Sequence, residues 1–97
     1  MDKKIKELND KYIGKKIGIT ASCFDLLHAG HMLMLKDAKN LCDTLIVALQ
    51  TDPTIDRPEK NKPIQSYEER CITIEGNKYI DDYICYSTEK ELLHILT

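Results

Sequence analysis

The chain has 97 residues, of which 42% are hydrophobic and 31% charged, with a formal net charge of −2 at pH 7. These values describe one globular domain with a modest core and exclude a disordered tail. A slightly acidic chain has no general attraction for nucleic acid, so any polyanion site has to be local.

No apolar run approaches the roughly 18 residues of a membrane span. The opening "MDKKIKELNDKY" is too polar for a signal peptide, so the cytoplasm is the expected compartment. The four cysteines, Cys23, Cys42, Cys71 and Cys85, show no C-x-x-C spacing. They read as reduced thiols, mostly in the core, rather than as a zinc site or a disulfide scaffold.

Residues 1–15 read as an N-terminal extension whose "KKIKELNDKY" is helix-rich, ahead of a domain over 16–97. "KIGITAS" (16–22), with β-branched and small residues, is the first expected strand. A helix is expected from near Gly30, because Met34, Leu35, Ala38, Leu41 and Cys42 recur at three- and four-residue spacings up to about Asp43. "TLIVALQ" (44–50) is a continuous apolar run, as expected of a parallel strand buried on both faces.

The segment "TDPTIDRPEKNKP" (51–63) holds all three prolines and many charges, and reads as a loop. Ser66 and Glu69 form the capping-box pattern S-x-x-E at the start of a second helix, which runs to Gly76 with Tyr67, Cys71 and Ile74 on its buried face. "DYICYS" is a short third strand, and a helical pattern runs from Thr88 to the last residue. Strands alternating with helices imply a parallel, Rossmann-like sheet flanked by helices in three α/β/α layers. Ligands of such sheets bind at the carboxyl ends of the strands, here Ser22, Gln50 to Asp52, and Tyr86 to Ser87.

His28 and His31 follow directly on the first of those ends, with Gly30 between them. A glycine there lets a ligand approach the backbone, and the N-terminus of the following helix favours an anion. Imidazole donors added to that terminus make a phosphate pocket suited to phosphoryl or nucleotidyl transfer, a chemistry of positioning and charge stabilisation. A metal pair is the weaker reading, since no third ligand stands nearby.

The stretch "ASCFDLLHAGHMLMLKDAKNLCDTLIVALQTD" resembles the opening half of the cytidylyltransferase-like nucleotidyltransferases, closest in appearance to the glycerol-3-phosphate and ethanolamine-phosphate cytidylyltransferases. The resemblance runs from about Ile17 to Tyr86. It implies transfer of CMP from CTP to a small phosphorylated alcohol, with release of pyrophosphate and with Mg2+ accompanying the triphosphate. It gives His28 and His31 the nucleotide contacts, and Phe24 and Asp25 the turn that shapes the pocket. By the same resemblance, Asp52 and Arg70 lie near the nucleotide and Lys60 and Lys62 grip phosphates. Lys78 stands where many relatives have arginine.

Taken without the resemblance, Asp52 before Pro53 reads equally as a turn former, and the two lysines as a solvated charge run. Ser22 and Cys23 replace the Gly-Thr of close relatives, altering the backbone approach at that turn. A second signature, R-T-E-G-I-S-T-T, is not in the chain, which is therefore expected to be incomplete at its C-terminal side. Two other readings stand beside the first: an adenylyltransferase of the same superfamily using ATP, and a non-catalytic nucleotide-binding or dimerising module. Relatives are commonly homodimers.

Overall fold

Seven elements alternate along the chain in the computed structural model, which describes residues 2–55, 57–60 and 62–96. They are α1 (Asp2–Lys11), β1 (Ile17–Ser22), α2 (Ala29–Asn40), β2 (Thr44–Gln50), α3 (Tyr67–Glu75), β3 (Asp82–Tyr86) and α4 (Glu89–Leu96). The strands and helices fall where hydrophobic patterning put them. Within the expected segments, Met1, Asp56, Asn61 and Thr97 lie outside the described residues.

The three strands form one parallel sheet in the order β1-β2-β3. Thr44 to Leu49 of the central strand are all buried, which explains why Leu45 to Leu49 are apolar at every position rather than at alternate ones. Its side chains divide between two cores. Leu45, Val47 and Leu49 pack with Phe24, with Leu35 of α2 and with Ile74 of α3. Ile46 and Ala48 pack with Leu8 of α1, with Ile84 and Tyr86 of β3, and with Leu92 and Ile95 of α4. The result is a three-layer α/β/α sandwich.

The first layer includes the segment expected to be an extension. Leu8 is buried on the sheet, and Lys4, Lys11 and the Tyr12 hydroxyl all reach the Asp82 carboxylate at the start of β3. Gly18 lets α2 approach β1 closely: a Cβ there would stand 2.9 Å from Cys42 Sγ. All four cysteines are free thiols, but they are half-buried rather than mostly in the fully buried core as expected. Cys42 and Cys71 pack against the core as partly buried neighbours.

Register levels the strand ends. Ser22 pairs with Leu49 and Gln50 with Tyr86, so the three carboxyl ends form one edge. Residues 23–28, 51–66 and 87–88 leave from that edge.

Candidate functional site

The link from β1 to α2 turns sharply through two left-handed residues, Phe24 (φ 51°) and Leu26 (φ 48°). Each such residue costs about 1–3 kcal/mol unless its surroundings hold it. Burial of the Phe24 ring holds the first, at 1% exposure in the core against α2 and α3. Hydrogen bonds to the segment before α3 hold the second. Asp25 accepts from Ile64 N–H (2.8 Å) and Gln65 N–H (2.9 Å), while Leu26 N–H donates to Gln65 Oε1 (2.9 Å). The amides of Gln65 and then Ile64 hold the Asp25 carboxyl below the ordinary carboxylate range. Asp25 is thus a brace that spends its oxygens on backbone.

The turn delivers His28 to the N-cap of α2. Gly30 N–H donates to His28 Nδ1 (3.0 Å), and His28 N–H donates to His31 Nδ1 (3.2 Å). This is a capping box made from two histidines instead of a hydroxyl and a carboxylate. Both Nδ1 atoms accept, so in each neutral ring the proton resides on Nε2. The rings lie 4.1 Å apart, and each retains an Nε2–H donor at the positive end of the helix. Gly30 serves the cap rather than a ligand's approach: a Cβ there would lie 2.8 Å from His28 Cε1.

Arg70, on α3, is 2% exposed. Its guanidinium donates to four backbone carbonyls, those of Gln65 (3.3 Å), Cys23 (3.0 Å), Gln50 (2.5 Å) and Thr51. It ties the ends of β1 and β2 to each other and to the α3 entry, from beneath the site. Asp52 makes an Asx turn, accepting from Thr54 N–H (2.9 Å) and Oγ1 (2.6 Å), and pairs with Lys62 at 3.7 Å. The Thr54 hydroxyl and amide, helped by the Lys62 charge, hold its pKa below the ordinary aspartate value. The structure shows Asp52 as a turn former, and its carboxylate also pairs with a lysine of the loop.

Two adjoining cavities open over the carboxyl edge. One, of about 300 Å³, is lined by Ser22, Gln50, Arg57, Lys60, Tyr86 and Glu89 among others. The second, of about 600 Å³, is lined by Cys23, Asp25, Pro53, Lys60, Lys62 and Ile64 with Pro63. Cys23, Pro53 and Lys60 belong to both walls. Burial pushes the Cys23 thiol up against the pull of the Arg70 and Lys60 charges, and the protonated sulfur donates to Gln50 Oε1 at 3.4 Å.

The structure thus brings Ser22, Cys23, Asp25, Lys60 and Lys62 onto the walls of one cleft. Phe24 and Arg70 lie beneath it as support. His28 and His31 stand at the N-terminus of α2, on the segment that continues the wall from Asp25, but their rings are not among the cavity linings. Lys78 stands apart, in the turn between α3 and β3, over the Tyr79 ring at 5.1 Å and beside a separate depression with Met32 and Asn77. Sequence reasoning named Gln50 only as a strand end and missed Gln65, Arg57 and Glu89. Gln50 was visible as a polar residue closing an apolar strand, whereas nothing local marked the other three.

A family model described as cytidylyltransferase-like matches residues 19–95, which holds every element of the cleft. The chain belongs to the cytidylyltransferase-like family. Among curated relatives, the bifunctional protein HldE of Granulibacter bethesdensis is 37% identical over 84% of this chain, and that of Marinomonas sp. is 41% identical over 87%. The chain spans less than a fifth of the length of either, 17% and 18%. The crystal structure of a lipopolysaccharide core biosynthesis protein from Thermoplasma volcanium superposes with a TM-score of 0.71 at 29% identity, covering 84% of this chain and 69% of that one. Nucleotidyltransferase chemistry of this family accordingly has its expected scaffold here.

Proposed function

We propose that the chain binds a nucleoside triphosphate at its carboxyl edge and transfers CMP from CTP to a small phosphorylated alcohol, with release of pyrophosphate. The observation that carries this reading is the double-histidine cap. Because each Nδ1 is committed to backbone, the two Nε2–H groups are preorganised donors that need no reorganisation as charge shifts during displacement. Lys60 and Lys62, on the facing loop, supply the charge that an acidic protein otherwise lacks.

An oxygen of the acceptor's phosphate attacks the α-phosphorus, the bond to the β-phosphate oxygen breaks, and its electrons leave with pyrophosphate. A divalent cation is proposed to enter on the triphosphate. Mg2+ would there offset phosphate charge. No helix among the described residues is long and apolar enough to cross a membrane, and a cytoplasmic location is proposed with this activity.

ATP is the second reading for the donor, as in an adenylyltransferase of the same superfamily. A sugar phosphate is supported as the acceptor by the lipopolysaccharide core role of the solved relative. The test is pyrophosphate release with CTP and with ATP, each against glycerol 3-phosphate and a set of sugar phosphates. Turnover with CTP is expected; turnover with ATP alone moves the chain to the second reading. Nucleotide binding without any turnover would leave a non-catalytic module. A homodimer, as in relatives, is proposed with this activity and is read by sedimentation.

A further inference from the structure

The mouth of the smaller cavity carries an ion pair for which the reaction above has no use. Arg57 Nη2 donates to Glu89 Oε1, linking the proline-rich loop to the start of α4. Two hydrogen bonds fix the arginine on its wall: Arg57 N–H donates to Pro53 O, and Arg57 O accepts from Lys60 N–H, both at 3.0 Å. Arg57 lines only the smaller cavity and Lys62 only the larger, while Lys60 stands on the wall common to both.

Nucleotidyl transfer needs two anionic sites side by side, because the attacking oxygen itself belongs to a phosphate. Cations that grip the triphosphate do not by themselves hold a second anion against its repulsion. Arg57 is the cation placed for that task, and its planar guanidinium binds phosphate through two parallel hydrogen bonds. Its present partner is easily exchanged, since the two side chains are 50% and 59% exposed and such pairs contribute little. Ser22, Gln50 and Tyr86 line the same cavity with groups that can meet hydroxyls of a polyol.

We propose that Arg57 binds the phosphate of the acceptor in the smaller cavity, leaving Glu89 to do so, and that this cavity selects phosphorylated alcohols. The proposal rests on the nucleotidyl-transfer reading of the cleft. In the balanced step, an oxygen of the phosphate held by Arg57 forms the new bond to the α-phosphorus as pyrophosphate departs from the larger cavity.

The experiment titrates the wild-type chain, Arg57→Gln and Glu89→Gln with glycerol 3-phosphate, inorganic phosphate and CTP, followed by NMR shifts. Arg57→Gln is expected to weaken glycerol 3-phosphate by about tenfold or more while CTP affinity stays within about twofold, as for loss of one charge-assisted contact. Glu89→Gln is expected to shift affinity for glycerol 3-phosphate the opposite way, because the competing carboxylate is gone. Unchanged binding in Arg57→Gln overturns the proposal, as does wild-type indifference to both phosphates. Parallel weakening in the two variants also overturns it, since that marks a structural clasp. Arg57-dependent phosphate binding without any binding of CTP or ATP would sink the nucleotidyl-transfer reading and leave the phosphate site standing.

Discussion

His28 and His31 each do two things with one ring, and the division falls between the two nitrogens. Nδ1 closes the helix cap and Nε2–H faces solvent at the helix terminus. Replacing either by alanine removes a cap bond and a preorganised donor together, at about 1 kcal/mol of stability for the cap. In an active assay, His28→Ala and His31→Ala should lower kcat by about a hundredfold or more with a smaller change in KM, as found for single preorganised donors. Steady-state kinetics on both variants checks this, and unchanged kcat in both would remove the histidines from the reaction. Sequence reasoning expected Gly30 to admit a ligand; in the structure its missing Cβ makes room for the His28 ring.

At the scale of elements, α3 is the fastening of the site. Its first turn is capped reciprocally by Ser66 and Glu69, and one turn later it presents Arg70 to the carbonyls at the ends of β1 and β2. Resemblance put Arg70 near the nucleotide. In the structure its donors are spent on backbone, and it shapes the cleft from below. Arg70→Met should therefore destabilise the fold by about 3 kcal/mol or more, since several buried carbonyls lose their donor at once. Arg70→Lys should rescue only part, because a single ammonium cannot span four carbonyls. Urea denaturation monitored by circular dichroism measures both; a loss below about 1 kcal/mol for Arg70→Met would mean water replaces the guanidinium.

Over the whole molecule, acid sensitivity follows from carboxylates that bind chain segments together. Burial pulls the pKa of Asp82 upward, but Tyr83 N–H, Lys11 and Lys4 outweigh it, so its folded pKa is lowered. Asp81 is likewise lowered, since Lys39 and Leu45 N–H overcome its burial, and Asp25 is lowered by the Gln65 and Ile64 amides. A carboxyl depressed in the folded state contributes stability that is present above its unfolded value and is lost as pH falls through the folded value. The melting temperature is therefore expected to drop mainly below about pH 4, near the unfolded aspartate value. Asp82→Asn should reduce that drop and free α1 from the sheet. A melting temperature unchanged down to pH 3 would show that these carboxylates contribute nothing to the fold.

Periodicity and capping are short-range properties, and they alone determined the three strands, the helices after β1 and β2, and the Ser66 start of α3. Thr44 to Leu49 read as a central strand because Leu45 to Leu49 are apolar at every position, and the structure buries all of them together with Thr44. The H-x-G-H placement was legible for the same reason: its neighbours in sequence are its neighbours in the cap. Only tertiary structure decided that residues 2–11 form a layer of the sandwich, because Leu8 meets Ile46 and Ile84, and Lys11 meets Asp82, 71 residues away. The same holds for Arg70 as a clamp, Asp25 as a brace 40 residues from Gln65, and Arg57 opposite Glu89. A guanidinium or carboxylate has the same local signature whether it faces a ligand or a carbonyl, and the partner that distinguishes them is supplied by a distant segment only when the chain folds.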